Sequence, residues 1–325
     1  VVEQQPRVVI AGASGFVGRH LRQAFVDDGY EVVTVGRTGD AVWGNTLRIR
    51  ALVDGAAVVV NMAGKSVDCR YGRRNRAEIL RSRVDTTLEL AEAIRTAEHP
   101  PPLWLNASTA TIYRHADDRP QDEATGELGE GFSVSVARAW EAAFFGADLP
   151  RTRRVALRMA IVFGDGSALV PLLRLAQAGL GGPQLDGPWF PTPGRLRAGT
   201  YHHDRHTHGR QRFSWVHVDD VVGVVRFVRD HEEVTGPVNV SSPEPSDNRT
   251  VMATIRESVG RRFGLPTWRW MLELGAFAIR TESELVLKSR WVVPTRLLEA
   301  GYAFRHPDLR GALAGIIAER REHRG

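Results

Sequence analysis

The sequence is poor in cysteine, in lysine and in long apolar runs, and each shortage excludes something. Cys69 is the single cysteine among 325 residues, which rules out an internal disulfide framework. Lys65 and Lys288 are the only lysines, so 41 of the 43 basic side chains are arginines. No apolar run reaches the roughly 20 residues of a membrane span, and the N-terminal segment shows no secretory-signal pattern. These absences set the expectation of a cytoplasmic chain with no membrane partner. Internal repeats and low-complexity tracts are also missing.

The net charge is +5 and the isoelectric point is near 9.8. A nucleic-acid-binding chain would gather such charge on one face. Here the arginines are scattered and interleaved with 38 acids. They read as solvated faces with local use on phosphates, and no nucleic-acid partner is expected.

What is present is an alternation of strand-like and helix-like patterns, long enough for one large or two medium domains. It starts with Val8-Val9-Ile10-Ala11, turns at Gly12-Ala13-Ser14-Gly15 and enters helical spacing at Phe16-Val17-Gly18. In a strand–turn–helix unit Gly12 turns the chain sharply off the strand. Gly15 admits a pyrophosphate to the backbone, and Gly18 lets the first helical turn lie against the sheet. The helix N-terminus then offers unpaired N–H groups and its positive dipole end to the phosphates. Gly12, Ser14, Gly15, Phe16, Val17 and Gly18 are therefore the expected contacts of a dinucleotide.

The second strand, Tyr30–Val35, ends at Gly36-Arg37-Thr38. Arg37 lies 19 residues beyond Gly18, where an NADP(H) site accommodates a 2′-phosphate with arginine. It points to NADP(H), with Asp40 as the competing ribose-binding acid of an NAD site. A buried strand over Ala56–Asn61 opens into Met62-Ala63-Gly64-Lys65, where small residues let a cofactor approach the main chain. Ala63, Gly64 and Lys65 join the expected cofactor contacts.

The rest of the pattern reads as follows. The stretch up to Leu52 is weakly patterned, with a short strand near Val42-Trp43. Helices are expected over Phe16–Asp28, about Asn75–Ala97, Val134–Ala147 and Ala168–Ala178. Strands are expected over Leu103–Asn106, Arg154–Phe163, Phe213–Val218 and Val238–Val240. Ser108, Thr109, Thr111 and Tyr113 follow the end of a central strand, where open α/β sheets bind ligands. From Pro243 the chain turns to helices broken by proline, over Val251–Phe263, over Trp268–Arg280 and from about Asp308. The segment His202-His203-Asp204-Arg205-His206-Thr207-His208 offers metal-binding side chains, but it has no fixed ligand spacing and no cysteine partner. It reads as a mobile surface loop, and no metal is expected.

Taken together these motifs resemble the extended short-chain dehydrogenase/reductase superfamily, the NAD(P)-dependent epimerases and dehydratases of nucleotide sugars. Gly12 to Gly18 matches its cofactor turn, Ser108 to Tyr113 its active-site strand end, and Ser214-Trp215-Val216-His217-Val218-Asp219-Asp220 its His-Val-Asp-Asp segment. Asn61-Met62-Ala63-Gly64, Ser82-Arg83-Val84-Asp85, Ala139-Trp140-Glu141 and Pro294 to Tyr302 look like the YfcH-like atypical branch. The resemblance implies a Rossmann-like doubly wound parallel sheet with a smaller, mostly helical substrate lobe. The dinucleotide-binding domain would span residues 1–165, with 213–240 returning to it. The substrate lobe would comprise 166–212 and 241–325.

One departure from the superfamily matters. Its chemistry usually rests on a Tyr-x-x-x-Lys dyad, whose tyrosine carries the proton. No lysine here follows a tyrosine by four residues: Asn61 precedes Lys65 at that spacing and Glu284 precedes Lys288. Alignment on Glu141 puts Ser133 and Ala137 at the dyad positions. The resemblance makes Thr109 the group that orients a substrate oxygen, and Tyr113 a candidate phenol. Cys69, Arg70, Tyr71, Glu141 and His217 are further candidates, and Arg83 and Arg158 are candidate anion contacts. The expected function is an NADP(H)-binding, epimerase-like oxidoreductase acting on a small molecule in a cleft between lobes. The alternative is a non-catalytic NADP(H)-binding redox sensor. A homodimer is left open.

Overall fold

Alternate residues of the first strand face opposite sides of a sheet, and both sides are covered. The computed structural model describes residues 5–278 and 282–322. Its strands in chain order are β1 (Arg7–Ala11), β2 (Glu31–Gly36), β3 (Ala41–Val42), β4 (Val58–Asn61), β5 (Leu103–Thr109), β6 (Arg153–Met159), β7 (Ile161–Phe163), β8 (Arg212–Phe213), β9 (Trp215–His217), β10 (Gly236–Val240) and β11 (Ser246–Asp247). Its helices are α1 (Phe16–Asp27), α2 (Thr46–Val53), α3 (Arg73–Thr96), α4 (Phe132–Phe145), α5 (Leu169–Gln177), α6 (Pro193–Arg197), α7 (Val218–Asp230), α8 (Asn248–Ser258), α9 (Arg269–Ala278), α10 (Glu284–Leu287), α11 (Thr295–Glu299) and α12 (Leu309–Glu322).

Seven strands form one parallel sheet in the order β10-β6-β5-β4-β1-β2-β3. Val8 and Ile10 pack with Val58, Val60, Leu105 and Leu157 against Leu21 and Phe25 of α1 and the valines of α7. Val9 and Ala11 pack with Val59 and Trp104 on the other face, against Ile49 of α2, Leu90 and Ile94 of α3, and Phe144 of α4. A parallel sheet buried on both faces accounts for the near-continuous apolar runs of its strands. Strand order reverses beside β1: β2 and β3 lie to one side, β4, β5, β6 and β10 to the other. In open α/β sheets such a switch point leaves a crevice at the carboxyl ends of the strands.

Several boundaries differ from expectation, each for a local reason. The weakly patterned stretch before Leu52 contains α2, whose start is capped by the Asn45 side chain accepting from the Arg48 N–H. The run expected as one strand over 154–163 breaks at Ala160. β6 stays in the large sheet, whereas β7 pairs with β9. The segment 213–218 also divides, into β8, β9 and the start of α7. His217 caps α7, its Nδ1 accepting from the Asp219 N–H at 3.1 Å. Arg280, the expected end of the Trp268–Arg280 helix, lies outside the described residues.

A third cluster joins Leu169, Leu172 and Leu173 of α5 to Met252 and Ile255 of α8, Leu313 and Ile316 of α12, and Phe163 and Trp215. The C-terminal segment is fastened to α7 through Asp220. Its buried carboxylate accepts from the main-chain N–H groups of Arg305 (2.7 Å) and His306 (3.0 Å). The His-rich segment is held down rather than loose. Asp186 accepts from the N–H of Arg205 and from the N–H and hydroxyl of Thr207, and His202 is buried. None of its histidines belongs to a potential metal-ligating cluster among the described residues. No described helix is long and apolar enough to cross a membrane.

Candidate functional site

The crevice at the strand ends holds a cavity of about 370 Å³, whose walls come from the glycine turn, the end of β4, α3, the end of β5 and α4. Gly12 takes φ +77°, where an L side chain is strained. A Cβ there would stand 2.7 Å from the Met62 carbonyl and the Ala63 nitrogen, because the ends of β1 and β4 meet at this point. A Cβ on Gly18 would stand 2.3 Å from the Gly12 carbonyl oxygen, so only glycine lets α1 start this close to the turn. Gly15 precedes α1 without any capping side chain. The first-turn N–H groups are thus left without a side-chain acceptor beside the cavity, an arrangement that suits a diphosphate.

Gly12, Gly15, Phe16, Val17 and Gly18 all line the cavity, as do Ala63, Gly64 and Lys65. Ser14 stands exposed in the turn, off the cavity wall. Ala63 is set by Asn61, whose Oδ1 accepts from the Ala63 N–H at 3.0 Å. The same asparagine donates to Asn106 (2.7 Å) and to the Thr87 hydroxyl, which also receives the Trp140 indole N–H. This buried chain of bonds ties the ends of β4 and β5 to α3 and α4. The Lys65 ammonium is paired with Glu78 at 2.6 Å.

Arg37 stands exposed just past β2, with no hydrogen-bond or ion-pair partner among the described residues. Asp40 is differently placed. Its Oδ2 accepts from the N–H and hydroxyl of Thr34 at 2.8 and 2.9 Å, and these bonds hold its carboxyl below the usual range. Of the two residues that compete for a ribose, the arginine is available and the acid is engaged by Thr34 of β2.

Thr109, Thr111, Tyr71, Ser133, Ala137 and Arg83 line the same cavity. The Thr109 hydroxyl accepts from the Thr111 N–H at 3.1 Å, which leaves its own proton free to donate. The two positions aligned with the usual dyad, Ser133 and Ala137, both reach the wall. Tyr71 is buried there; burial and then the Glu284 carboxylate push its phenol up, while Ser133 pulls the other way.

Tyr113 is not on the wall, which corrects the expectation that it presents a phenol to substrate. It is 1% exposed, donates to Asn239 Oδ1 at 2.9 Å and accepts from Arg158 Nη1 at 2.8 Å. Arg158 is engaged too, so it is no free anion contact. Its Nε and Nη2 donate to the two oxygens of Glu141 at 2.8 and 2.7 Å. Burial opposes the Arg158 charge, yet the Glu141 carboxylate outweighs it and holds the guanidinium above its ordinary value. Glu141 also accepts from the Ser108 hydroxyl at 2.6 Å. Both of its oxygens are therefore taken, and it is no base. Cys69 is an ordinary thiol, pushed up by burial. His217 is a helix cap whose ring lies 3.9 Å from that of His306.

Sequence reasoning did not single out the contribution of the C-terminal segment. Glu284 accepts from the Ser133 hydroxyl at 3.2 Å. Lys288 donates to the Thr111 carbonyl at 2.8 Å, and Arg290 Nε to the Thr111 hydroxyl at 3.2 Å. Burial, then the Arg290 charge, lowers the Lys288 ammonium to about 8. The one local signal was that Lys288 is one of only two lysines.

Residues 8–241 match the sequence model of the NAD dependent epimerase/dehydratase family, and residues 269–316 match a domain of unknown function, DUF1731. The chain is 30% identical to the epimerase family protein SDR39U1 of Mus musculus over 96% of its own length and 100% of the relative. Its fold matches the crystal structure of human SDR39U1 (isoform 2) with NADPH at a TM-score of 0.80. That match has 27% identity and covers 96% of this chain and 99% of the other. MoeE5 in complex with UDP-glucuronic acid and NAD shares the fold at a TM-score of 0.72 and 21% identity, over 98% and 99% of the two chains. With the Rossmann-like sheet, the uncapped glycine turn and no Tyr-x-x-x-Lys dyad, the chain belongs to the NAD dependent epimerase/dehydratase family, as an atypical extended short-chain dehydrogenase/reductase.

Proposed function

We propose that this protein is an NADP(H)-dependent, epimerase-like oxidoreductase whose small substrate, with nucleotide sugars as the first class to try, enters the cleft beside β4 and β5. The observation that carries this reading is the uncapped N-terminus of α1 opening on a cavity whose wall also bears hydroxyl groups. The NADPH in the human relative supports the cofactor, and the nucleotide sugar in MoeE5 motivates the substrate class. Residues 166–212 and 241–325 would form the substrate side.

Main-chain amides at Gly15 to Gly18 would hold the diphosphate, and Arg37 the 2′-phosphate. When bound, the nicotinamide supplies hydride transfer. The chain's own groups handle position and protons. Thr109 donates its hydroxyl proton to a substrate oxygen and so orients it. Tyr71, kept neutral by burial, is a proton donor rather than a phenolate base. Ser133 donates to Glu284 and keeps its oxygen as an acceptor on the wall. Lys288 and Arg290 brace Thr111 from behind.

Fluorescence titration with NADPH and NADH, followed by turnover screening of nucleotide sugars and small carbonyl compounds, tests the proposal. Arg37→Asp should weaken NADPH by about 1–3 kcal/mol, the worth of charge-assisted hydrogen bonds, and leave NADH nearly unchanged. An unchanged NADPH/NADH ratio refutes the role of Arg37. Saturable binding without turnover across a broad panel refutes the enzymatic reading.

A further inference from the structure

Arg83 is a cation on the cavity wall that no carboxylate among the described residues neutralises. Three other shielded arginines meet acids. Arg158 pairs with Glu141 at 2.7 Å, and Arg195 and Arg269 pair with Glu273 at 3.0 and 2.7 Å. Among the described residues no carboxylate pairs with Arg83. Arg154 also lacks an acid, but it closes the end of α4 by donating to the carbonyls of Phe144, Phe145 and Ala147. Arg83 does less. Its Nη1 donates to the carbonyls of Lys65 (3.0 Å) and Ile79 (3.1 Å), and its Nε and Nη2 have no protein partner among the described residues.

The group is nevertheless held in place. Its guanidinium lies 5.1 Å from the centre of a Trp140 ring. On another side it is packed so close to Gly64 that a Cβ there would approach its central carbon to 3.2 Å. Burial works against its charge. A cation with restricted access to water, stacked on an aromatic face and with an unused pair of N–H donors, has the form of a site for an oxyanion that accepts two parallel bonds. It is a costly element unless something completes it.

We propose that Arg83 recognises a negatively charged group on the substrate, a carboxylate or a phosphate carried close to the reacting carbon, through its free Nε–H and Nη2–H edge. The substrate class is thereby narrowed to acidic compounds, an acid sugar rather than a neutral one. This inference rests on the cofactor-binding reading above and deepens it. The diphosphate has its own amides in the glycine turn, while Arg83 lines the same cavity with Tyr71, Ser133 and Trp140 and packs on Gly64.

The test uses the full chain loaded with NADPH. Calorimetric titrations compare matched acid and neutral partners: UDP-glucuronic acid with UDP-glucose, glucuronate with glucose, and lactate with propanediol. In the wild type at least one acid should bind about tenfold or more tighter than its neutral partner, the worth of a charge-assisted pair. Arg83→Gln should bring that ratio to about one and leave the NADPH affinity within about twofold. Arg83→Lys keeps the charge without the planar fork, so it should retain only part of the preference; this variant also serves if the glutamine form does not fold. The inference is overturned if no pair shows acid preference in the wild type, or if the preference survives both substitutions. It is equally overturned if Arg83→Gln weakens NADPH about tenfold, which assigns the guanidinium to a cofactor phosphate. A wild type that binds no NADPH removes the underlying reading itself, a result distinct from any of these.

Discussion

Replacing Glu141 by leucine should unfold this protein more readily without touching a proton-transfer group. Glu141 and Arg158 form a buried, two-point ion pair. Removing the acid leaves a guanidinium stranded in the core, which typically costs about 3–5 kcal/mol. The Ser108 hydroxyl loses its acceptor as well, worth about 1 kcal/mol. Part of this returns through leucine burial, so a net loss of about 4 kcal/mol is expected. Unfolding entropy near 2.1 cal/mol/K per residue, over 325 residues, gives about 0.7 kcal/mol/K. The melting temperature should therefore fall by about 6 °C. Arg158→Met alone should do comparable damage, because it strands the carboxylate and deprives the Tyr113 phenol of a donor. The double variant Glu141→Leu/Arg158→Met replaces both charges by apolar groups and should cost less than either single change. Thermal melts of the four proteins, run with and without NADPH, measure all of this. If the double variant loses the sum of the two singles, the pair is not coupled. If Glu141→Leu melts like the wild type yet abolishes turnover, Glu141 is a base and its placement here as a structural partner is wrong.

Two further outcomes are expected. Gly12→Ala puts a Cβ against the main chain of Met62 and Ala63 at a positive φ, a strain of about 1–2 kcal/mol before any contact. Its NADPH affinity should fall by about tenfold or more, and equal affinities of wild type and variant in a fluorescence titration would contradict the phosphate-turn assignment. Lys288 has a folded pKa of about 8 against an ordinary value of 10.5. Between those values the unfolded chain binds the extra proton, so stability rises with pH through that window. The penalty is present in full below about pH 8 and amounts to roughly 3 kcal/mol, relieved as the amine loses its proton. Urea midpoints taken from pH 7 to 10.5 should climb more steeply for the wild type than for Lys288→Met, and parallel curves would refute the depressed pKa.

Much of the scaffold was readable because its causes are local. β1 and β4 are buried on both faces, so their apolar runs stand out whatever surrounds them. Where local signals were thin the reading failed. α2 has eight residues, only three of them buried, and its start rests on one asparagine. The break at Ala160 cannot be seen along the chain, because it is set by β9 arriving more than fifty residues later to pair with β7. Thr109 ends β5, Tyr113 follows it, and the two read alike as site candidates. Their fates diverge because Asn239 and Arg158, on β10 and β6, claim the phenol.

The sequence by itself determined the strand–turn–helix that opens the chain, since a sharp turn, a helix start and close strand packing are decided within a dozen residues by backbone sterics. It also determined the lack of the usual tyrosine–lysine dyad, which is a matter of spacing alone. Tertiary structure decided which polar groups are usable. Glu141 reads as a candidate base until Arg158 and Ser108 are folded onto it, and Ser133 acquires Glu284 from 151 residues away. Charge and proton affinity depend on neighbours within a few ångströms. Those neighbours come from whichever distant element packs there, and that is why Arg83, unlike Arg158, lines the cavity with two donors and no acid partnered among the described residues.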